Sequence, residues 1–164
     1  MVKVAQKENI LVIIKRKNGE VRTIKGHNLV TNDGDEYYAR MIIGDSSNIT
    51  TPFYLRLGTG TDNPTKDDTD VETYIDKSAK QVDSDFPKRN YTDEGNSDGG
   101  VNVITYRITY DIGEVVANDI SEGALVDNGD SPTKALNHFL FDNSFNLTSD
   151  DQLIVFVNHS FVGV

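Results

Sequence analysis

The alternation of apolar and polar residues predicts a chain built mainly from short β-strands. Residues 10–14 (Ile-Leu-Val-Ile-Ile) form a β-branched run of strand length. The Asn18-Gly19 pair that follows is typical of a type I′ turn, whose two central residues have positive φ. Residues 20–25 are therefore expected to return as the second strand, which makes residues 1–26 an N-terminal hairpin.

Four further segments carry the period-two pattern of a half-buried strand, and they are residues 53–57, 101–116, 136–141 and 153–162. A weak or edge strand is expected within 73–82. The longest segment places five apolar residues on one face: Ile104, Tyr106, Ile108, Tyr110 and Ile112. In the last segment both faces are partly apolar, which is typical of a strand covered on both sides. Residues 83–100 are expected to be a mobile loop, because 92–100 lack any apolar residue.

One segment, roughly residues 34–43, has the pattern of an amphipathic helix. Asn32 or Asp33 can cap its N-terminus, and Gly44 can end it in the left-handed conformation. The number of strands and the spacing of turn signals then favour a mainly β fold, an antiparallel β-sandwich of the jelly-roll-like kind with one short α-helix. The 164 residues fit a single domain, 1–164.

Charge separates the N-terminal hairpin from the rest of the chain. Residues 1–26 contain seven basic and two acidic residues, although the whole chain has a net charge of −10. The hairpin is either a solvated part of an acidic body or a basic surface that docks on an acidic partner. The negative total argues against binding to nucleic acid, which needs basic residues to neutralise phosphates. No apolar run is long enough for a membrane span, and no export signal is recognised.

The residues that could carry chemistry do not form a catalytic pattern. There is no cysteine, the three histidines (His27, His138 and His159) are far apart in sequence, and no Gly-x-Ser-x-Gly occurs. We therefore expect no enzyme activity, no catalytic residue and no cofactor. The tyrosines at positions 54, 106 and 110 are interpreted as core residues, with a stacking platform for sugars or bases as the alternative.

The loop after residue 57 is rich in acidic residues. Gly58-Thr59-Gly60-Thr61 lacks the Gly-Lys-Ser/Thr continuation of a phosphate-binding loop, so it is interpreted as a structural loop. The acidic residues that follow are expected to be solvated and to bind no metal. The alternative is a structural calcium site, because calcium prefers carboxylate and carbonyl oxygens. Its candidate ligands are Asp62, Asp67, Asp68, Asp70 and Glu72.

Several motifs occur in a fixed order along the chain. After the hairpin, residues 28–34 (Asn-Leu-Val-Thr-Asn-Asp-Gly) lead into the helix, and residues 57–61 (Leu-Gly-Thr-Gly-Thr) with Pro64 follow the next strand. Asp68-Thr69 and Glu72, then residues 120–125 (Ile-Ser-Glu-Gly-Ala-Leu), then a closing strand complete the series. This order resembles accessory structural proteins of tailed viruses, which include capsid decoration and tail-associated proteins.

The resemblance implies a virion structural protein of a bacteriophage that is assembled in the host cytoplasm. A compact chain without fibrous repeats favours a capsid decoration or cement subunit, a head auxiliary protein that binds the assembled shell. The alternatives are a baseplate or tail-fibre adaptor, and a carbohydrate- or calcium-dependent binding module. The expected partners are capsid or tail proteins of the same virion and further copies of the chain in a homo-oligomer.

The expected contact elements are the N-terminal hairpin and the final strand. Burial of apolar strand faces and pairing of strand edges between copies are the expected means of attachment. The candidate contact residues are Ile10, Ile14, Lys15, Lys17, Arg22, Phe156, Phe161 and Val162.

Overall fold

The computed structural model describes residues 8–47 and 53–161. Within them it contains one helix and nine strands, which confirms the mainly β antiparallel class with a single short helix. The elements are β1 (Glu8–Arg16), β2 (Val21–Val30), α1 (Asn32–Ile42), β3 (Tyr54–Gly58), β4 (Lys80–Gln81), β5 (Lys88–Arg89), β6 (Val103–Tyr110), β7 (Ala117–Val126), β8 (Ala135–Leu147) and β9 (Asp151–Ser160).

All nine strands belong to one antiparallel sheet in the order β4-β3-β7-β8-β2-β1-β9-β6-β5. The sheet curls until its two ends meet at one short segment. Val82 donates its N–H to the carbonyl of Phe53 beside β3, and Asp83 donates to the carbonyl of Arg107 in β6. The layers that a sandwich would build from two sheets are thus two halves of one continuous sheet facing each other across the core.

Neither long strand at the ends of the sheet has a free edge. The outer edge of β3 is paired along its length by residues 73–82, and the outer edge of β6 is paired by residues 83–90. The segments that cover them are short and irregular, a common way of preventing strand addition by another chain. Among the described residues, the geometry therefore does not support the expected edge pairing between copies.

From residue 8 onwards the N-terminal hairpin forms as expected, with a different turn; residues 1–7 of the predicted 1–26 hairpin lie outside the described residues. Ile14 pairs with Arg22 and Lys15 with Val21, but Gly19 alone in the loop has a positive φ, of 89°. The N–H of Gly19 donates to the carbonyl of Arg16, which closes a type I turn followed by a left-handed glycine. This three-residue loop replaces the predicted type I′ turn.

Helix α1 begins slightly earlier than predicted. Its N-cap is Thr31, whose side-chain oxygen accepts a hydrogen bond from the N–H of Gly34 at 3.1 Å. The helix ends at Ile42, and Gly44 follows with a φ of 73°. The cap shifts from the expected Asn32 or Asp33 because the Thr31 hydroxyl also donates to the carbonyl of Ala135, which fixes the helix start on β8.

The inner face of the sheet holds one apolar core to which almost every strand contributes. Tyr106 and Tyr110 are only 2% exposed, so the structure places both in this core, away from any surface platform. Tyr54 is half-buried and packs against a smaller outer cluster. Ile112, which the pattern assigned to the same face, is 62% exposed because β6 ends at Tyr110 and a turn begins.

Strand β9 is buried on both faces, as its pattern indicated. Leu153, Val155 and Val157 point into the main core, while Ile154 and Phe156 join a second cluster on the outer face with Leu11 and Ile13. Tyr91 covers this outer cluster, and its ring stacks on Phe156 with centroids 6.0 Å apart.

The segment that carries Tyr91 is fastened to the sheet by a buried amide pair. The Asn96 side chain donates to Asn158 at 2.9 Å and accepts from it at 2.8 Å, and it also donates to the carbonyl of Tyr91. Thr105 adds a bond to Asn158 at 2.7 Å. The 92–100 stretch, expected as a mobile loop, thus places a fully buried residue against β6 and β9.

Replacing Asn96 by alanine is expected to lower the free energy of unfolding by about 1–3 kcal/mol, because the buried side-chain N–H group of Asn158 loses its acceptor. Urea unfolding measures the change. Asn143→Ala, at an exposed position of β8, is the matched control and should change the free energy of unfolding by less than about 0.5 kcal/mol. Equal effects of the two substitutions would contradict the fastening role.

Candidate functional site

A second irregular segment, residues 59–79, covers the outer face of the sheet over β3, β7 and β8. Its Val71 packs with Ala124, Val126 and Ala135 in an apolar cluster between the segment and the sheet. Beside this cluster lies the most concentrated set of buried charges in the described residues. It therefore marks the candidate site.

Three side chains form this carboxylate–histidine cluster: Asp68 from the covering segment, Glu122 from β7 and His138 from β8. The His138 Nδ1 lies 2.6 Å from Asp68 Oδ2, and its Nε2 lies 2.7 Å from Glu122 Oε2. The side chains of His138 and Glu122 are 4% and 0% exposed, and that of Asp68 is 25% exposed. One imidazole thus bridges two carboxylates across the boundary between segment and sheet.

Backbone N–H groups complete the environment of Glu122. Gly60 and Thr73 donate to its Oε1 at 2.8 and 2.9 Å, and Glu72 donates to its Oε2 at 2.9 Å. The glycines of the Gly-Thr-Gly-Thr motif permit this approach. A Cβ at Gly58 or Gly60 would lie 2.3 or 2.5 Å from the Glu122 carboxylate oxygen, closer than real contacts allow. The loop therefore wraps a carboxylate of its own protein.

The electrostatics of the cluster favour charge on all three groups. Burial disfavours the ionised form of Glu122, but the bonds from His138 and from three backbone N–H groups outweigh it and lower its pKa. The pKa of Asp68 is lowered in the same way, with burial outweighed by bonds from Thr65 and His138. Burial also disfavours the charged ring of His138, yet its bonds to Glu122 and Asp68 raise its pKa.

Two ionised carboxylates require a donor at each ring nitrogen, so His138 is an imidazolium in this arrangement. An imidazolium with both N–H groups bound to carboxylates has no lone pair with which to accept a proton from a hydroxyl or a water. The cluster is thus arranged for holding the segment, and general-base chemistry would require it to come apart first.

The five candidate calcium ligands come together, as their sequence clustering suggested. All line one surface cavity of about 430 Å³ next to His138. Most are occupied by protein donors: Asp67 accepts from the side chain of Asn32, Asp70 pairs with Arg56, and Glu72 accepts from the N–H groups of Thr61 and Asp62. Among the described residues, no three His, Asp or Glu side chains are arranged to hold a metal ion.

Arg56 anchors the other end of the covering segment. Its side chain is 4% exposed, and its Nε lies 2.9 Å from an Asp70 carboxylate oxygen. The guanidinium stacks on the ring of Tyr74, 3.6 Å from the centroid, and donates to the carbonyl of Gly129. A residue that alternation placed on the polar face of β3 is therefore buried beneath the segment.

The expected contact residues divide into two groups. Ile10, Ile14 and Phe156 are 0% exposed within this chain, so they offer no surface to a partner in this fold. This corrects their assignment as contact residues, since their apolar faces are covered by the core and by the segment around Tyr91. The other candidates are exposed on the hairpin (Lys15, Lys17 and Arg22), 37% exposed (Phe161) or outside the described residues (Val162).

Several exposed apolar side chains lie near the end of α1 and near Phe161. Met41, Ile42 and Ile43 at the end of α1 are 49%, 81% and 77% exposed. Ile42 follows Tyr38 by one helical turn on the same face, and Tyr38 contacts Phe161 with ring centroids 5.2 Å apart. Val101, 69% exposed, adjoins Asn102, which exchanges hydrogen bonds with Phe161. We call these five residues, Met41, Ile42, Ile43, Val101 and Phe161, the apolar end.

Sequence reasoning missed His138 and Glu122 as site residues and Ile42 and Ile43 as surface residues. A signal existed for Glu122, a charged residue within the otherwise small and apolar run 120–126. Ile42 lies on the same helix face as Tyr38, but it is 81% exposed while Tyr38 is buried.

Comparison with protein-family models, with curated proteins and with solved structures finds no match to this chain. Among the described residues, the single helix is too short and too polar to cross a bilayer.

Proposed function

We propose that this protein is an accessory structural subunit that attaches to a larger protein assembly through its apolar end. The observation that carries the proposal is the run Met41-Ile42-Ile43, which is exposed where α1 ends. Tyr38, one turn earlier in the same helix, contacts Phe161. Apolar residues grouped on a surface favour a contact with another protein. The pairing of β3 and β6 by short segments supports attachment through this surface, because in the described residues it leaves neither of these long strands an open edge for strand addition.

The location we propose is the virion of a tailed virus, with the capsid exterior as the site of attachment. The support is the order of the motifs together with what their residues do. Thr31 and Gly34 fix the start of α1 on β8, while Gly58, Gly60 and Glu122 fix the covering segment on β7. These motif residues hold segments in place, as expected of a structural subunit that presents a rigid surface.

Changing Ile42 and Ile43 together to aspartate is expected to weaken binding to purified phage heads at least tenfold, since fully burying one such side chain contributes about 1.5–3 kcal/mol. Co-sedimentation of the purified chain with heads lacking it measures the binding. The free energy of unfolding should change by less than about 0.5 kcal/mol, because both side chains are exposed.

Val21→Asp is the matched control, since Val21 is an exposed apolar residue at the tip of the hairpin. It should bind heads as the unchanged chain does. Binding of the unchanged chain to isolated tails but not to heads would favour the adaptor alternative and contradict the capsid location. Undiminished binding by the Ile42/Ile43 variant would contradict the role of the apolar end.

A further inference from the structure

The carboxylate–histidine cluster is placed where the covering segment meets the sheet. Segment 58–73 comprises Gly58 and the part of the covering segment that lies between its two contacts with β3. It leaves β3 at Gly58, passes over β7 and β8, and returns to pair with β3 through Tyr74. Glu122 accepts hydrogen bonds from backbone N–H groups near both ends of this segment, from Gly60 at its start and from Glu72 and Thr73 at its end. Opening the segment therefore requires breaking the contacts of Glu122 and of its partner His138.

The charges that face His138 come from several elements. Glu122 belongs to β7, Asp68 to the segment itself, and the cavity beside the ring is lined by further acids of the segment: Asp62, Asp67, Asp70 and Glu72. On β2 the residue opposite His138 is the uncharged Leu29, and His27, two residues before it, pairs with Asp142 on β8. Two basic side chains near the cluster already pair with other carboxylates: Arg56 of β3 with Asp70, and Lys66 of the segment with Asp35 of α1.

We infer that protonated His138 is a pH-dependent clasp that fastens segment 58–73 to strands β7 and β8, and that loss of its proton loosens the segment. The inference concerns the carboxylate–histidine cluster alone and does not depend on the proposed attachment through the apolar end.

The geometry explains why the closed arrangement needs the proton. A neutral imidazole donates from one nitrogen only, so its other lone pair would face a carboxylate oxygen at 2.6 or 2.7 Å. Neither carboxylate can relieve this at neutral pH, because Glu122 holds three backbone N–H groups and Asp68 holds the N–H and hydroxyl of Thr65. Deprotonation thus leaves two adjacent negative charges without their shared cation.

The direction of the pH effect follows from proton linkage. In the open segment His138 is solvated and titrates near its ordinary pKa of about 6.5, while its pKa in the closed segment is raised. Below about pH 6.5 the clasp is at full strength. Between that value and the closed-state pKa, opening becomes about tenfold more frequent for each pH unit, and above it opening is constant.

Opening would uncover the apolar cluster under the segment. Val71 would leave Ala124, Val126 and Ala135, all of which are fully buried while the segment is closed. In a mildly alkaline medium the apolar outer face of β7 and β8 would therefore be exposed to solvent more often.

Amide hydrogen exchange of the whole chain, measured from pH 5.5 to 9 and corrected for intrinsic exchange rates, tests the inference. The N–H groups of Gly60, Glu72 and Thr73 report directly, because they donate to Glu122. Their protection should be constant up to about pH 6.5 and then fall about tenfold per pH unit to a plateau. The N–H of Val155 in β9, a strand paired on both sides by β1 and β6, should show no such fall.

His138→Gln should give lower protection in the segment at pH 6 and no pH dependence, because glutamine cannot become a cation with two donors to both carboxylates. His27→Gln is the matched control and should behave as the unchanged chain. Protection of Gly60, Glu72 and Thr73 that stays flat from pH 5.5 to 9, or an identical fall in His138→Gln, would overturn the clasp. If His138→Gln does not fold, nitrogen-15 chemical shifts of His138 in the unchanged chain decide: one unprotonated ring nitrogen at pH 6 would overturn it.

Discussion

Replacing Glu122 by alanine is expected to lower the free energy of unfolding by about 3–5 kcal/mol, because it leaves a buried charge without its partner. The substitution removes one of the two carboxylates that bind the His138 ring, and it leaves the N–H groups of Gly60, Glu72 and Thr73 without an acceptor. The His138 side chain is 4% exposed, so water cannot replace the lost contacts without opening the segment.

Urea unfolding at pH 6 measures this loss, with Glu20→Ala as the control. The Glu20 side chain is 57% exposed and pairs with Arg16 at 3.9 Å, so its removal should change the free energy by less than about 0.5 kcal/mol. A loss of under 1 kcal/mol for Glu122→Ala would contradict the central place of this carboxylate. His138→Ala should also be made in the unchanged chain and in Glu122→Ala. The two substitutions should not be additive in the free energy of unfolding, since Glu122 and His138 share one buried hydrogen bond.

The same substitution should change the acid limb of the stability curve. The pKa values of Glu122 and Asp68 are lowered in the folded protein. Their contribution is thus present above the ordinary carboxyl pKa of about 4 and is lost as the pH falls through the lower folded-state values. Without Glu122, part of this loss has already occurred, so the free energy of unfolding should fall less steeply below pH 4.

Local sequence signals were sufficient to predict the elements whose apolar pattern is not interrupted by residues that contact distant parts of the chain. The hairpin, helix α1 and strand β9 were all predicted near their observed positions. Strand β7 was not predicted as a strand, because Ser121, Glu122 and Gly123 interrupt its apolar pattern. Those residues face the covering segment and the ring of Phe139, so the interruption reflects contacts made by distant parts of the chain.

The candidate site shows the same division between local and distant information. Clustering of acids in 62–72 was visible and correctly grouped the lining of one cavity. The histidine that binds one of them, Asp68, was not visible as its partner, because His138 is 70 residues from Asp68 along the chain and nothing in its own neighbourhood marks it. Two carboxylates and a histidine become a unit only when β7 and β8 pair.

The assignment of Ile10, Ile14 and Phe156 as contact residues was wrong for a related reason. A strand with apolar residues on both faces is covered on both sides, and the sequence does not say by what. Ile10 faces the main core, so other strands of the same sheet cover it. For Phe156 on the outer face the cover is also intramolecular, because segment 83–98 lies over β1 and β9 and is held there by Asn96. That segment lacks an apolar pattern of its own beyond Phe86 and Tyr91, so only its place in the fold reveals its function as a cover.

Replacing Gly34 by alanine is expected to lower the free energy of unfolding by about 2–3 kcal/mol, the cost of overpacking a filled site. At an ordinary helix position the same change would be stabilising by about 1 kcal/mol, so the expected sign is reversed. A Cβ at Gly34 would lie 2.0 Å from the carbonyl oxygen of Leu136 and 2.8 Å from a methyl carbon of Val30. The obstructing atom is backbone of β8, which cannot turn aside as a side chain could.

Ala39→Gly in the same helix is the matched comparison, because Ala39 is exposed and its replacement should cost only the intrinsic preference of about 1 kcal/mol. Urea unfolding of the two variants at one pH separates the explanations. If Gly34→Ala raised the free energy of unfolding, the helix would not be seated on Leu136 as described. If Gly34→Ala lowers the free energy of unfolding by more than Ala39→Gly does, then Gly34, which ends the Asn-Leu-Val-Thr-Asn-Asp-Gly motif, is required because the helix approaches the strand closely. The motif then specifies how α1 docks on β8, and with it the direction in which Ile42 and Ile43 are presented.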